Sequence, residues 1–474
     1  TLMKNIDRFS LSEEELRAIV AEGLRSGGDW CDLYFEDTEY GDLLLRDGEV
    51  TSGGHHIDYG CGIRVLKGDR TGYAYAESTD LRPLMSAAAA AGAIASSATP
   101  TTDFSRQRLG AAINAADRYP MLQDWRSADT AGLVPFLKRL DQRIRSLDSR
   151  VIKVIAALSW SVSDIMMYNS LGELTCDRRP LGSVSVQTIF RQGDRTENSS
   201  VSRSLREGVE MIGEQVLEDL AQRAVKGMDE RFEARRPKGG QMPVVMGAGA
   251  SGILLHEAMG HAFEADFNRK GQSIFSDKMG RRICPKGINI LDDGTLPANR
   301  GACNYDDEGI PGQKTYMVTD GVLTSYLHDR ISAAWYGVNP TGNGRRESFR
   351  YNPIPRMRAT YMESGDKGCV SDLIASVQKG IYVDQFANGQ VKIGEGDFTF
   401  YVRSGFLIED GRLTMPVKDI NIIGNGPQAL ADIEAVASDL KIDESTWTCG
   451  KEQSVAVSCG IPSVLIRNLT VGGE

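Results

Sequence analysis

The feature that most restricts how this chain can fold is a nine-residue apolar segment, Ile253–His261, in which His256 and Glu257 are followed by His261. The whole chain of 474 residues has only five histidines, and two of them lie in this segment. Two imidazoles and a carboxylate are costly to bury on an apolar helix unless they bind something. Zinc suits this set, because neutral imidazole is a good ligand and a catalytic zinc site combines three protein ligands with one water. The segment therefore predicts a metal site with His256 and His261 as ligands.

The spacing of this motif is H-E-x-x-x-H, one residue longer than the common H-E-x-x-H. Histidines five positions apart lie about 140° apart around an ideal helix. Both rings can reach one ion only if the helix widens into a π-bulge or ends before His261. Gly260 makes either distortion easier because glycine tolerates unusual backbone conformations. The sequence thus predicts a backbone irregularity beside Gly260.

The acid inside the motif suggests a catalytic role. Glu257 is placed to take a proton from a water that attacks a carbonyl group, and a zinc ion lowers the pKa of such a water toward about 7. A third metal ligand has to come from elsewhere in the chain. The residues leave five candidates open: Glu264, Asp266, His328, Cys449 and Cys459.

A glycine-rich turn precedes the motif. Residues 247–252 read G-x-G-x-x-G between a predicted strand and the histidine helix. Dinucleotide binding would require a second parallel strand soon afterwards, but residues 268–282 are polar and contain glycine. We expect these glycines instead to allow close backbone approach, or to donate N–H groups to a substrate, with Gly249 as the candidate contact.

Two adjacent arginines form a second candidate for substrate binding. Arg345 and Arg346 follow a turn at 341–344 and are suited to clamp a peptide carboxylate through bidentate hydrogen bonds. A charged loop beside Glu347 is the competing interpretation. Three other polar clusters are interpreted as surface features: solvated turns at 292–293 and 306–308 and a loop at 55–56.

Composition excludes several classes of protein. Hydrophobic residues make up 41% and charged residues 25% of the chain, as in ordinary globular proteins. The net charge of −10 argues against nucleic-acid binding, which needs clustered Lys and Arg. The longest weakly polar run, Met85–Thr99, is too short to predict a membrane span. Without a basic leader we expect a cytoplasmic protein, with export as the alternative because the chain begins at Thr1.

The pattern of apolar residues predicts an α+β fold in two domains. Residues 1–230 are predicted to form a mixed α+β domain, and residues 231–474 a strand-rich, antiparallel domain that contains the histidine helix. Residues 229–240 are interpreted as the linker. The first domain is predicted to have four helices. The first begins after Ser12, and the others cover Asp80–Ser97, Leu133–Leu147 and Val209–Val225. Its predicted strands are Cys31–Glu36, Ile57–Leu66, Thr71–Ala76, Val151–Leu158, Ile165–Asn169, Glu173–Cys176 and Ser183–Phe190, with turns at 47–48 and 180–182.

Longer stretches of the sequence resemble the TldD/PmbA family of metallopeptidases, specifically its TldD-like branch. In the second half these are LLHEAMGHAFEADFNRKG (254–271), KGINILDDGT (286–295), DDEGIPGQKT (306–315), NPTGNGRRES (339–348), GQVKIGEGDFTFYV (389–402), PVKDINIIGNG (416–426), WTCGK (447–451) and NLTVGG (468–473). The first half is similar through DLYFED (32–37) and GIRVLKGDRTGYAYA (62–76).

This resemblance implies specific roles for the motif residues. It implies that His256, His261 and Cys449 bind one Zn²⁺ per chain and that Glu257 is the general base. It also implies cleavage of unfolded or short peptides, including the maturation of modified peptides and the removal of antitoxins. Members of the family pair as two-subunit assemblies, so a homodimer or a heterodimer with a paralogous subunit is expected. Since the motif is intact, this chain resembles the catalytic partner.

We therefore predict a zinc-dependent metallopeptidase, a hydrolase that carries out proteolysis of unfolded or short peptides. Two alternatives stay open. One is a metal-dependent amidase that uses the same chemistry on small molecules. The other is a non-catalytic modulator that binds a partner protein, although an intact Glu257 argues against a purely structural metal site.

Overall fold

The computed structural model describes residues 8–97, 116–392 and 394–473. One antiparallel sheet of six strands, in the order β3-β2-β1-β4-β5-β6, forms the frame of the first half. Its elements are α1 (Glu13–Leu24), β1 (Trp30–Arg46), β2 (Glu49–Lys67), β3 (Arg70–Ala76), α2 (Leu81–Ala95), α3 (Thr130–Leu147), β4 (Val151–Asn169), β5 (Leu174–Gln192), β6 (Arg195–Leu205), α4 (Glu214–Val225) and α5 (Met228–Glu233).

Local sequence signals locate several of these elements correctly. The Ser12 side chain caps α1 by accepting a hydrogen bond from the Glu15 backbone N–H. Asp47 and Gly48, both with positive φ, form the predicted hairpin turn between β1 and β2. Helices α2 and α3 cover most of the residues predicted for them. The helix predicted from Val209 begins only at Glu214, after a short 3₁₀ turn.

The predicted turn at 180–182 is wrong. Residues 151–169 and 174–192 each form one continuous strand rather than two short ones. Pro180 pairs with Val162 of β4, whereas the pairing of β6 with β5 ends opposite Gly182. Pro180 therefore lies where β5 has a free edge, and there a residue without an N–H donor is tolerated.

The two faces of this sheet have different neighbours. Alternate β1 residues enter two hydrophobic cores, one shared with α1 and α2 and the other with α3 and α4, so both helix pairs cover the same face. On the opposite face, Tyr34, Ile165 and Met167 pack against Phe349 of the second half. The sheet is thus a wall between the helices and the second half of the chain.

The predicted linker at 229–240 is partly helical. Helix α5 extends from Met228 to Glu233, and its buried Met228 and Phe232 pack against Phe190. These two apolar residues are four positions apart, which places them on one face of a helix. The charged residues around them favoured the interpretation as a linker.

The second half contains two larger sheets. One is a mixed sheet in the order β10-β9-β8-β13-β20-β19, and in the other the pairing of β14 with β15 closes the strands β14, β7, β21, β17 and β15 into a ring. The strands are β7 (Gly240–Met246), β8 (Ile290–Asp293), β9 (Lys314–Thr319), β10 (Val322–Leu323), β11 (Gly344–Arg345), β12 (Ile354–Pro355), β13 (Ala359–Met362), β14 (Lys379–Val391), β15 (Asp397–Glu409), β16 (Arg412–Pro416), β17 (Asn421–Asn425), β18 (Ile433–Val436), β19 (Lys441–Lys451), β20 (Gln453–Ile461) and β21 (Val464–Gly472).

The helices of this half are short. Those in the described residues are a 3₁₀ helix (Ala250–Gly252), a π-helix (Leu254–Met259), a second 3₁₀ helix (Gly260–Phe263), α6 (Ala265–Arg269), α7 (Arg330–Tyr336), α8 (Val370–Ala375) and α9 (Gly426–Ala431). The molecule is thus α+β, as predicted, although β13 with β20 and β7 with β14 pair in parallel rather than antiparallel fashion. Within the described ranges, no helix is both long and apolar enough to cross a membrane.

Candidate metal centre

The histidine segment has the irregular backbone that its spacing predicts. His256 lies in the π-helix and His261 in the 3₁₀ helix that follows it. Gly260 itself has ordinary helical angles, φ −60° and ψ −42°. Gly260 matters because it leaves room for its neighbours. An added Cβ would lie 2.1 Å from the Met357 Sδ and 3.1 Å from the Leu255 carbonyl oxygen.

The side chain of the remote Cys449 meets those of His256 and His261 at this irregularity. One ligand atom each from His256, His261 and Cys449 lies within 4.8 Å of the other two, and all three residues are buried. The Cys449 Sγ is 3.3 Å from His261 Nε2. Both ring nitrogens of His256 are buried and have no hydrogen-bond partner among the described residues. Two imidazoles and a thiol, one imidazole wholly unpaired, form a donor set that fits Zn²⁺.

The other ligand candidates lie outside this cluster. Glu264 is fully buried, and its Oε1 is 2.6 Å from His261 Nδ1 and 3.3 Å from Lys451 Nζ. Asp266 accepts a hydrogen bond from Lys451 at 2.8 Å. The Glu264 carboxylate accepts the Nδ1 proton of His261 and leaves Nε2 to face Cys449, as outer partners of metal-bound histidines do.

The charges of the cluster reinforce each other. Burial alone would raise the pKa of the Cys449 thiol, but the adjacent imidazoles of His256 and His261 outweigh it and lower this pKa to about 5. For His261 the effects are reversed. Burial would lower the pKa of this ring, but Glu264 outweighs burial and raises the pKa to about 10. Cys449 is therefore poised as a thiolate, the form that binds metal.

Glu257 has a different environment from the three ligand candidates. About a third of its side chain is exposed, compared with 2% for His256, and its Oε1 lies 3.8 Å from His256 Nε2. A carboxylate with this position borders the cluster and is open to water. A general base must reach both a water and the reacting centre, and the assignment of Glu257 to that role stays a prediction.

A buried arginine holds the hairpin that carries Cys449. Arg356 is fully buried, and its guanidinium donates to the backbone carbonyls of Cys449 and Gln453, each at 2.7 Å. Together with Lys451, it fixes the β19–β20 turn beside Glu264. No local sequence signal points to either residue, because only the tertiary structure brings them to the histidine segment.

The glycine-rich turn packs against backbone. The Gly249 N–H donates to the Ile461 carbonyl, and a Cβ on Gly252 would lie 2.7 Å from the Gly460 backbone nitrogen. Close backbone approach, one of the two predicted roles, is thus present at this turn. The N–H of Gly249 is already used within the protein, which does not favour the predicted substrate contact.

Arg345 and Arg346 are both buried and line a separate cavity, apart from the His256–His261–Cys449 cluster. Arg345 donates to the Met357 carbonyl at 2.8 Å. Arg346 donates to the Asp307 carbonyl, and its guanidinium lies 4.1 Å from the centre of the Tyr34 ring.

The acidic clusters predicted to be solvated turns are buried, so that interpretation is wrong. Asp307 pairs with Arg179 at 2.5 Å, and Glu308 pairs with Arg64 at 2.7 Å. The pair at 292–293 ends strand β8 and accepts hydrogen bonds from side chains that include Asn343, Thr360 and Tyr361. Their partners come from distant parts of the chain. His55 and His56, predicted to be in a surface loop, are exposed but lie within strand β2.

Sequence comparison places the chain among known proteins. Models of PmbA/TldA metallopeptidases match it in three segments, domain 1 over residues 31–116, the central domain over 123–228 and the C-terminal domain over 239–473. A Haemophilus influenzae protein named Metalloprotease TldD homolog is 38% identical over 451 residues, which cover 94% of this chain and 93% of that protein. The chain belongs to the TldD/PmbA family of metallopeptidases.

A further relative and two solved structures extend this comparison. A Saccharolobus solfataricus protein named Zinc metalloprotease TldD homolog is 33% identical over 300 residues, 61% of this chain and 65% of that protein. Two solved structures share the fold with a TM-score of 0.78, and each match covers 97% of this chain and all of the other. They are TldE from Thermococcus kodakarensis, 19% identical, and a candidate DNA gyrase modulator from Thermotoga maritima, 21% identical.

Proposed function

We propose that this protein is a zinc-dependent peptidase that hydrolyses unfolded or short peptides. In this proposal His256, His261 and Cys449 bind one Zn²⁺ per chain. The observation that carries it is the convergence of these three buried ligand atoms within 4.8 Å, with both His256 ring nitrogens unpaired among the described residues. The names of the relatives support the assignment as a metalloprotease, and the word zinc appears in one of these names.

The residues of this chain divide the chemical work. When bound, Zn²⁺ supplies Lewis-acid chemistry at the scissile carbonyl. Glu257 accepts a proton from the attacking water and donates it to the nitrogen of the leaving amine. Glu264 keeps His261 oriented by accepting its Nδ1 proton, and Arg356 holds the hairpin backbone at Cys449.

Metal content and hydrolysis measured together test this proposal. Elemental analysis of the wild type is expected to find about one zinc per chain. Glu257→Gln should keep that zinc and lose about 10²- to 10⁴-fold in peptide hydrolysis, because the general base is removed. A zinc-free wild type, or a Glu257→Gln variant that still turns over peptides, would contradict the proposal. Faster hydrolysis of small amides than of peptides would point to the amidase alternative.

We also propose a two-subunit assembly, either a homodimer or a heterodimer with a paralogous subunit, in the cytoplasm. The shared fold with a solved protein named TldE supports a paralogous partner. Light scattering on the protein expressed alone and with such a paralogue would separate the two assemblies. A monomer in both preparations would contradict this part of the proposal.

A further inference from the structure

A cavity of about 160 Å³ lies where the sheet of the first half meets the second half. Its walls include side chains from strands β1, β4 and β5 on one side and from strand β20 on the other. Five arginines line it, compared with three acidic residues, Glu36, Asp307 and Glu347. The arginines are Arg179, Arg206, Arg345, Arg346 and Arg358.

Most of these arginines have no acidic partner. Arg179 pairs with Asp307 at 2.5 Å and with Asp177 at 3.0 Å. In the described part of the chain, no carboxylate oxygen lies within ion-pair distance of the other four guanidinium groups. Arg206 and Arg345 instead donate to backbone carbonyls. A carbonyl oxygen satisfies a hydrogen-bond donor but does not neutralise a charge.

The two arginines that donate to carbonyls, Arg206 and Arg345, are buried. Only 8% of Arg206 and 6% of Arg345 is exposed. Burial and the neighbouring guanidinium groups of Arg358 and Arg206 hold the pKa of Arg345 well below its usual range. Buried cations without a counter-charge are costly, and a bound anion would offset that cost. A carboxylate matches the planar guanidinium group through paired hydrogen bonds.

The cavity adjoins the hairpin of the metal centre. Val455 lines the cavity, faces Cys449 across the β19–β20 pair and packs against it. Facing residues in such a pair have Cα atoms about 5 Å apart, and an extended peptide advances about 3.3 Å per residue. The distance from Cys449 to this wall of the cavity is therefore no more than about two or three residues of an extended peptide.

We propose that this cavity is a subsite that binds a carboxylate of the substrate peptide, with Arg345 as its principal contact. The inference rests on the proposed peptidase function. Arg346 is less available, since its guanidinium stacks on Tyr34 and donates to Asp307. The carboxylate has two sources, the C-terminus of the peptide or an acidic side chain, and both present the same chemistry to Arg345.

Binding to the zinc-loaded Glu257→Gln variant distinguishes these sources without turnover. Three fluorescent hexapeptide probes are compared. Two are hexa-alanine, one with a free C-terminal carboxylate and one with a C-terminal amide, and the third is the amide with one internal alanine replaced by glutamate. We expect one of the two acidic probes to bind about tenfold or more tightly than the neutral amide, as charge-assisted hydrogen bonds do. Equal affinities for all three, or no measurable binding of any, would overturn the proposal.

Arg345→Gln in the same background tests the named contact. Glutamine keeps a polar side chain with an N–H donor but removes the charge. The acidic probe should lose its advantage while the affinity of the neutral amide stays unchanged. Arg467→Gln is the matched control, because Arg467 is 62% exposed and its loss removes an equal charge from the surface. A folded Arg345→Gln variant that retains the preference would overturn the proposal, and if it does not fold, the comparison of the three probes still decides.

Turnover by the wild type separates this inference from the proposed function. If the wild type hydrolyses all three peptides with equal kcat/KM and the binding preference is absent, the subsite is disproved and the peptidase proposal stands. If it hydrolyses none of them, the peptidase proposal fails, and the affinities measured on Glu257→Gln still test whether the cavity binds a carboxylate.

Discussion

Glu264 determines which nitrogen of His261 faces Cys449. Its carboxylate lies 2.6 Å from His261 Nδ1, while Nε2 lies 3.3 Å from the Cys449 Sγ. Burial would raise the pKa of Glu264, but Lys451 and His261 outweigh it and lower this pKa to about 2. An ionised acceptor therefore fixes the ring, and the geometry of the ligand cluster depends on a residue outside it.

Replacing this acceptor is expected to weaken zinc binding. Glu264→Gln should lower the affinity for zinc by about tenfold or more, because the neutral amide holds the Nδ1 proton less strongly. Competition with a chromophoric chelator measures the change. Asp266→Asn is the matched control, since Asp266 shares Lys451 but does not contact His261. Equal affinities for Glu264→Gln and wild type would contradict the assigned role.

The buried acid Glu36 is expected to make stability depend on pH. Burial raises the pKa of Glu36 to about 7, whereas an unfolded chain has a glutamate pKa of about 4.3. Between these values the folded state holds a proton that the unfolded state has released, so the free energy of unfolding falls as pH rises through this window.

Removing the charge of Glu36 should remove this dependence. Glu36→Gln is expected to be more stable than wild type by about 2–4 kcal/mol at pH 8 and equally stable at pH 4. Denaturant unfolding at the two pH values measures the difference. Glu49→Gln, at an exposed position of strand β2, should behave like wild type at both. A gain at pH 4 that equals the gain at pH 8 would rule out titration of Glu36 as the cause.

At the level of elements, close packing holds the distorted histidine segment in place. The turn before the π-helix lies against strand β20 at Gly252 and Gly460, where backbone meets backbone. The 3₁₀ helix after it begins at Gly260, whose missing side chain leaves space for Met357. Both glycines act through the space they leave, so the segment is positioned from both ends by contacts that any larger residue would disturb.

A single methyl group at the first contact should displace the segment. Gly252→Ala places a Cβ 2.7 Å from the Gly460 nitrogen and 2.8 Å from its carbonyl carbon. Overpacking of this kind costs about 1–3 kcal/mol, and because backbone has to move, zinc affinity is expected to fall with stability. Thermal unfolding and zinc titration measure both.

Gly450→Ala is the matched control for this substitution. Gly450 adjoins Cys449, but a Cβ there meets nothing within 4 Å. The control should keep wild-type stability and zinc affinity. If Gly252→Ala also behaves like wild type, the packing argument is wrong.

At the scale of the whole molecule, the two halves meet through buried charges. Arg64, with no exposed surface, pairs with Glu308 at 2.7 Å as well as with Asp32 at 2.6 Å. The Phe349 N–H donates to Glu36 across the same boundary. We propose residues 1–230 and 231–474 as the two domains, and the arginine-lined cavity lies at the boundary between them.

The two halves are expected to associate when produced as separate chains. Co-expressed fragments 1–230 and 231–474 should elute as a one-to-one complex, because each alone exposes the apolar and charged groups that the interface covers. Glu308→Ala should weaken the complex about tenfold or more, since it leaves a buried arginine short of a partner. Glu434→Ala, at an exposed position, serves as the control. Two fragments that elute separately and remain folded would contradict this interface.

Much of the fold could be predicted where the signal is local. The Ser12 cap, the turn at 47–48 and the distortion of the histidine helix each follow from a few neighbouring residues. The continuous strand through Pro180 could not be predicted, because whether β6 pairs beside that position is decided by the sheet. The acids at 306–308 were misjudged for a similar reason, since burial depends on partners that the local sequence does not contain.

Local sequence is enough to show that two imidazoles five residues apart need a helix that widens or ends between them, because helical geometry is a property of neighbours. Which distant atom joins them depends on how the whole chain packs. Cys449 is 188 positions from His261, and Arg64 is 244 positions from Glu308. Such pairs form because burial makes an unpaired polar group costly, and which groups become buried together is settled only when the whole chain has packed.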